Sequence, residues 1–168
     1  MRAHLAGAFY LAALLMAISG EGLVHGRLAL GLGLTAVACF VVVTLILFDL
    51  FKPVSPLLAQ LAAASNLVGL SLEALQLHPL GANLALIFHG LYCILVGVLI
   101  ARCDFLPRAL GALIITGGLA WLTDLSIPLT DHLAPYNLVV GFLGEGLPML
   151  WLLLIGVSGR RWHERALT

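Results

Sequence analysis

Six long apolar segments follow one another along the chain, and short polar or turn-forming breaks separate them. A helix crosses the bilayer core of about 30 Å with about 20 residues, and each segment is close to that length. The pattern therefore predicts an all-α fold, an integral membrane bundle of six transmembrane helices. The predicted spans lie near residues 5–25, 28–50, 57–77, 82–101, 109–128 and 137–157.

Basic residues orient the predicted bundle. If the N-terminus is cytoplasmic, only Arg27 lies in an outer segment, and the other seven basic residues lie in cytoplasmic segments. Lys and Arg resist translocation, so we predict that both termini are cytoplasmic. The third span is the most polar, and a five-span chain is the alternative, but omitting it would put the later basic residues or the N-terminus outside. The seven residues are Arg2, Lys52, Arg102, Arg108, Arg160, Arg161 and Arg165.

The first apolar segment has some features of a cleavable signal peptide. Arg2 precedes the apolar run, and Ala17-Ile18-Ser19 supplies a small-residue cleavage pattern. The run extends from Leu5 to about Val24, which is long for the apolar part of a signal peptide. We therefore expect this segment to be retained as the first span.

Composition indicates that the whole chain is solvated by lipid. Hydrophobic residues make up 62% and charged residues 10%, against about 45–50% and 25% in soluble domains. This excludes a disordered chain, and a net charge of +0 excludes the basic surface that nucleic-acid binding requires. We expect a single transmembrane domain over residues 1–168, with membrane lipid as a partner and no nucleic acid.

Four stretches of the chain resemble a known family. They are Phe88-His89-Gly90-Leu91, Phe105-Leu106-Pro107-Arg108-Ala109-Leu110-Gly111, Leu150-Trp151-Leu152-Leu153, and Lys52-Pro53-Val54 before an Ala/Leu-rich helix. Together they resemble the bacterial membrane-protein family known as domain of unknown function 4386. The resemblance covers most of the chain and is best from about residue 82. It implies a multi-pass protein of the bacterial inner membrane, and it carries no catalytic role with it.

Apart from His25 and Asp49, which lie at span ends, five ionisable residues fall within the predicted spans, where a charged group costs roughly 2.5–3.5 kcal/mol at a helix centre. They come from five different spans, and counting from the outer ends places all of them in the outer half of the membrane. Helical spacing puts each beside small residues on one helix face. The pattern predicts a polar pocket that opens to the outer surface. The five residues are Glu21, Glu73, His89, Asp124 and Glu145.

The predicted pocket favours binding of a lipophilic small molecule, with acid/base transformation as its enzymatic form. Glu145 is the predicted proton donor, and His89 is the predicted base, oriented by Glu73 or Asp124. Alternatively, His89 is a structural residue that donates to a backbone carbonyl or to Glu145. The predicted ligand-binding residues are Glu21, His25, Asn66, Asn83 and Tyr92.

Three other functions stay open at this stage. The same acids could relay protons or a cation in transport, although the inner half lacks a matching polar path. His25 and His89 with carboxylates could bind zinc or iron, but no metal-binding spacing is present, so no metal or cofactor is expected. Alternatively, the acids are structural and join helices, with Glu21 and Asp124 holding helix ends. A homo-oligomer is also open, since the chain is small.

Overall fold

The computed structural model describes residues 2–22, 26–76 and 83–159, together with residues 162 and 164. These residues form seven α-helices, and a 3-10 turn at Leu122–Leu125 follows the fifth. The helices are α1 Arg2–Gly22, α2 Arg27–Phe51, α3 Pro56–Ala74, α4 Leu84–Arg102, α5 Arg108–Trp121, α6 Ile127–Leu133 and α7 Tyr136–Leu154.

Five helical segments of the described chain are long and apolar enough to cross a membrane: α2, α3, α4, Arg108–Leu125 and α7. The apolar stretch of α1 is shorter and covers Ala3–Met16. The protein is thus an all-helical, multi-pass membrane protein, which confirms the predicted fold class at this level.

Six of the helices form a closed ring. Each of α1 to α4 packs against the next helix in the chain, α5 packs against α7, and α7 returns to α1. The closure is tight, because Nδ1 of His4 lies 2.8 Å from the carbonyl oxygen of Leu153. A Cβ added to Gly7 would lie only 2.6 Å from the Leu153 nitrogen. The start of α1 and the end of α7 therefore lie at the same end of the ring.

That end of the ring carries exposed Lys52, Arg102 and Arg108 and is termed the basic end. The segment after α7 folds across it. Ser158 donates its backbone N–H to the Phe105 carbonyl oxygen at 3.3 Å. The Trp162 indole donates to the Leu50 carbonyl oxygen at 2.9 Å. The α2–α3 and α4–α5 connections are thereby covered by the end of the described chain.

Glycines bring α4, α5 and α7 into backbone contact. A Cβ at Gly90 would lie 2.7 Å from the Gly118 carbonyl oxygen, and a Cβ at Gly144 would lie 2.7 Å from the Gly117 Cα atom. Small residues allow this approach in membranes, where close packing of helices replaces the hydrophobic effect as the source of stability. The contacts position the α4, α5 and α7 side chains that project into the ring.

The end of the fifth span differs from the prediction. The sequence predicted a span over 109–128 and a non-helical break to residue 135, whereas α5 ends at Trp121 and α6 occupies Ile127–Leu133. Ser126 has an extended backbone before α6, and proline stands in the first turn of that helix. Proline favours a helix start and cannot supply the N–H that a helix interior needs, so the sequence begins a new helix there.

Candidate functional site

Glu145 lies inside the ring at the midpoint of α7, nine residues from either end of the helix. Its side chain is buried, with 10% of its surface exposed. Gly144 brings this part of α7 against α5, and Pro148 lies in the next turn, where it cannot donate the usual helical hydrogen bond. The carboxylate is therefore held at mid-helix, about one residue deeper than the sequence predicted.

Three helices direct hydrogen-bonding groups at the Glu145 carboxylate. The Tyr10 hydroxyl of α1 donates to Oε2, and the Trp121 indole at the end of α5 donates to Oε1. His89 of α4 places Nε2 3.1 Å from Oε1 and 3.0 Å from Oε2. These contacts satisfy a buried carboxyl that would otherwise be costly in the membrane.

A second set of contacts extends from His89 to α2 and α3. His89 Nδ1 lies 3.0 Å from Asn66 Oδ1, and Asn66 Nδ2 donates to Thr44 Oγ1 at 2.7 Å. The Thr44 hydroxyl donates in turn to the Phe40 carbonyl oxygen at 2.8 Å. One residue from each helix of the ring thus joins a single six-helix network: Tyr10, Thr44, Asn66, His89, Trp121 and Glu145.

The direction of these hydrogen bonds fixes the tautomer of His89. Thr44 donates its hydroxyl proton to the Phe40 carbonyl oxygen, so the Thr44 oxygen accepts from the Asn66 amide. The Asn66 oxygen must then accept from Nδ1–H of His89. Neutral His89 therefore presents a lone pair on Nε2, to which a protonated Glu145 carboxyl can donate.

A narrow cavity extends from the six-helix network towards the basic end. It leaves about 30 Å³ for the centres of water molecules, where about 10–15 Å³ suffices for one. Tyr10, Cys93 and Glu145 line the end at the network, and Phe51 and Leu106 line the end near the α4–α5 connection. The cavity lies on the opposite side of Glu145 from the predicted outer opening.

Tyr92, a predicted ligand-binding residue, also lines this cavity. The side chain is 4% exposed, and its hydroxyl lies near Thr44 but makes no hydrogen bond of normal geometry with the residues that the structure describes. A buried hydroxyl normally has a partner, so an unpaired one on a cavity wall indicates a position where a bound molecule could supply it.

Cys93 adds a sulfur to the same wall. It follows His89 by one helical turn, and its Sγ lies 3.7 Å from His89 Nε2. One ligand atom each from His89, Cys93 and Glu145 lie within 4.8 Å of one another. Within the described chain this group has the types and spacing of donor atoms that could hold a metal ion.

The structure separates the other predicted site residues from this cluster. Within the described residues, the hydrogen-bond partners of His89 and Glu145 include neither Glu73, which is half-buried in the last turn of α3, nor Asp124. The Asp124 side chain accepts from the Thr130 hydroxyl at 3.1 Å beside α6. Asn83 caps α4 by accepting from Leu86 N–H at 3.3 Å.

Of the remaining predictions, His25 and the side chain of Glu21 lie outside the described residues. Of the predicted site residues, Glu145 and Tyr92 line the cavity, and His89 and Asn66 join Glu145 in the adjoining network. Sequence reasoning did not assign Tyr10, Thr44 or Trp121 to the site. A tyrosine or tryptophan within a predicted span is a signal that could have identified Tyr10 and Trp121, since a buried phenol or indole normally has a hydrogen-bond partner.

Comparison with known proteins places the chain in a family. Residues 68–156 match the model of a family described as a domain of unknown function, DUF4386. The chain belongs to the DUF4386 family. Within the site, the DUF4386 match includes His89, Cys93, Trp121 and Glu145, and this confirms the resemblance found in the sequence.

One relative of this DUF4386 protein is an uncharacterized protein of the archaeon Archaeoglobus fulgidus. The two are 27% identical over 132 residues, which is 74% of this chain and 79% of the relative. No solved structure matches the chain.

Proposed function

We propose that this DUF4386 protein binds a lipophilic small molecule with one polar end in the cavity beside Glu145. The observation that carries the proposal is the shape and chemistry of the cavity. Its α7 wall runs from Glu145 to Leu152, seven residues or about 10 Å along the helix. Polar groups line one end, and apolar side chains line the rest, as an alkyl or isoprenoid chain with a polar head requires.

The polar end suits a hydroxyl group on the ligand. A carboxylate offers about four lone-pair sites, and Tyr10, Trp121 and His89 use three of those on Glu145. A ligand hydroxyl could donate to the fourth and accept from the unpaired Tyr92 hydroxyl. An alcohol with a long apolar chain is therefore the ligand class that the site favours, and its chain would displace apolar side chains, because the cavity as it stands has room for only about two or three waters.

Acid/base transformation of such a ligand is the enzymatic form of the same proposal. Glu145 forms part of the cavity wall, and its protonated carboxyl can donate to His89. Glu145 would act as proton donor and His89 as base. Asn66, which bonds to His89 Nδ1, takes the orienting role that the sequence gave to Glu73 or Asp124.

Photolabelling tests the binding proposal directly. A long-chain alcohol carrying a diazirine is irradiated with the purified protein, and labelled peptides are mapped by mass spectrometry. Met149 is buried on the cavity wall, so Met149→Phe should fill the space and reduce labelling of α4 and α7 by about tenfold. Leu150 is 42% exposed on the same helix, and Leu150→Phe should label like the wild type. Equal labelling of both variants would refute the proposal.

A structural role for the six-helix network is the second candidate. It is favoured because every network residue already has a hydrogen-bond partner, and each comes from a different helix of the ring. In this case Glu145→Gln would lower the stability of the bundle, and the photolabelling above would not depend on Met149.

We also propose six spans with both termini in the cytoplasm of a bacterial inner membrane. Support comes from α1, whose 21 residues are long enough to cross a bilayer, and from the exposed basic end opposite Arg27. A fluorescent protein fused after Thr168 should be fluorescent, and alkaline phosphatase fused after Gly26 should be active. The reverse pattern would show the opposite orientation.

A further inference from the structure

We infer that His89, Cys93 and Glu145 bind a divalent transition-metal cation, and that zinc fits the site best. The inference goes beyond ligand binding, because it concerns the wall of the cavity and holds whether or not an alcohol enters. Nitrogen, sulfur and oxygen donors together are the set that zinc uses in proteins. The cluster combines these donors within the middle of the bundle.

The distances between the three donors are close to those of a tetrahedral site. Zinc bonds of about 2.0–2.3 Å place neighbouring ligand atoms roughly 3.3–3.7 Å apart. His89 Nε2 lies 3.0 Å from Glu145 Oε2 and 3.7 Å from Cys93 Sγ. All three donors lie within 4.8 Å of one another. The remaining sulfur–oxygen distance would close with a side-chain movement of about 1 Å.

Supporting contacts already orient two of the ligands. His89 donates Nδ1–H to Asn66 at 3.0 Å, and Thr44 fixes Asn66. A histidine that binds metal through one nitrogen usually donates the other to such an acceptor. Tyr10 and Trp121 hold the two oxygens of Glu145 in the same way. A cation would take the place of the proton between Nε2 and the carboxylate, so the metal-bound form would not carry out the acid/base step proposed above.

Charge balance favours a divalent ion at this depth. The Cys93 thiolate and the Glu145 carboxylate together carry two negative charges, and His89 is neutral. Their complex with a divalent cation has no net charge, which limits the cost of placing ions in the membrane interior. A monovalent ion would leave one charge uncompensated.

The cavity supplies an independent sign of a bound molecule. Cys93 and Glu145 both line it, and its 30 Å³ for water centres exceeds the space that one water needs. A water there would occupy the fourth position, which catalytic zinc sites keep open. The Tyr92 hydroxyl, buried on the same wall without a partner, would bond to that water.

Metal content of the purified protein tests the inference. After growth with added zinc, the wild type should contain about one zinc per chain, measured by inductively coupled plasma mass spectrometry. Cys93→Ala and His89→Ala should lower the content at least about tenfold. Cys39 is half-buried on α2, outside the cluster, and Cys39→Ala is the matched control that should keep its zinc. Asn66→Ala should weaken zinc affinity by about 10–100-fold.

Cobalt substitution tests the inference on the wild type itself, so it does not depend on whether Cys93→Ala folds. Cobalt(II) bound to a thiolate gives a charge-transfer absorption in the near ultraviolet, and we expect it in the wild type and in Cys39→Ala. Background metal content together with no such absorption in the wild type would overturn the inference. So would zinc content in a folded Cys93→Ala variant equal to that of the wild type. Photolabelling by the diazirine alcohol is read separately, so the two proposals can fail independently.

Discussion

At the scale of single residues, Glu145 shows what a buried acid needs in a membrane. Its two oxygens receive hydrogen bonds from Tyr10 and Trp121 and contact His89. Asp124, in contrast, bonds to Thr130 in the turn between α5 and α6, where it holds the start of a short helix. Both acids lie within predicted spans, but Glu145 joins helices inside the ring, whereas Asp124 stabilises a turn.

Tyr10→Phe should destabilise the bundle by about 1–2 kcal/mol, because it removes one donor from a buried carboxylate. The measurement is the free energy of unfolding in a detergent titration followed by circular dichroism. Tyr136 is 73% exposed, so Tyr136→Phe should change the stability by less than about 0.5 kcal/mol. Equal effects in the two variants would mean that the Tyr10 hydroxyl is not important.

The sequence revealed the ionisable members of the network but not all of their partners. His89 and Glu145 stood out because charged groups are rare in apolar spans, and a hydrogen bond between them was one of two structural roles open to His89. Tyr10, Thr44 and Trp121 did not stand out, since hydropathy treats these side chains as compatible with lipid. Which of them meet depends on the rotation of each helix, and a single sequence does not fix that rotation.

At the scale of helices, glycine contacts determine how the site is assembled. Gly117 of α5 faces Gly144 of α7, and the residue after Gly144 is Glu145. The approach of the two backbones therefore also sets the position of the carboxylate. The sequence placed small residues such as these on the same helix faces as the ionisable residues, but it placed the end of the fifth span several residues too late. Local helix signals at Ser126 and Pro128 explain that difference.

Gly144→Ala and Gly146→Ala form a matched pair within α7. A Cβ at Gly144 would lie 2.7 Å from Gly117 Cα, whereas nothing lies within 4 Å of one at Gly146. We expect Gly144→Ala to destabilise the bundle by about 1–3 kcal/mol. Gly146→Ala should be neutral or stabilising by up to about 1 kcal/mol, since alanine favours helix. Thermal unfolding in detergent distinguishes them, and a stable Gly144→Ala variant would contradict the packing described.

At the scale of the whole molecule, the ring is closed at the basic end by loops and by the segment after α7. Phe51 and Phe105 stack there with ring centroids 6.0 Å apart. Cys103 is 1% exposed beside them, and its thiol donates to the Ile100 carbonyl oxygen at 3.2 Å. Although Cys103 lies in a connection outside the spans, it is part of the packed interior.

Cys103 should therefore report on global unfolding. Burial raises the pKa of its thiol, and only the thiolate reacts with iodoacetamide. The folded protein should label at Cys103 at least about tenfold more slowly at pH 8 than the unfolded protein. Raising the pH should increase the rate only above the range in which an exposed thiol ionises. Peptide-resolved mass spectrometry measures the rates, and fast labelling of the folded protein would contradict this burial.

The position of Glu145 on the last helix has a consequence for biogenesis. The ribosome releases the helices in order, so Tyr10, Thr44, Asn66 and His89 enter the bilayer before the acid that joins them has been synthesised. Until then the Tyr10 hydroxyl and Nε2 of His89 lack the carboxyl that they contact in the complete bundle, and polar groups without partners make such an intermediate a substrate for quality-control proteases. We therefore expect the nascent chain to resist degradation only after α7 has inserted. A chain truncated before residue 136 should be short-lived in the cell.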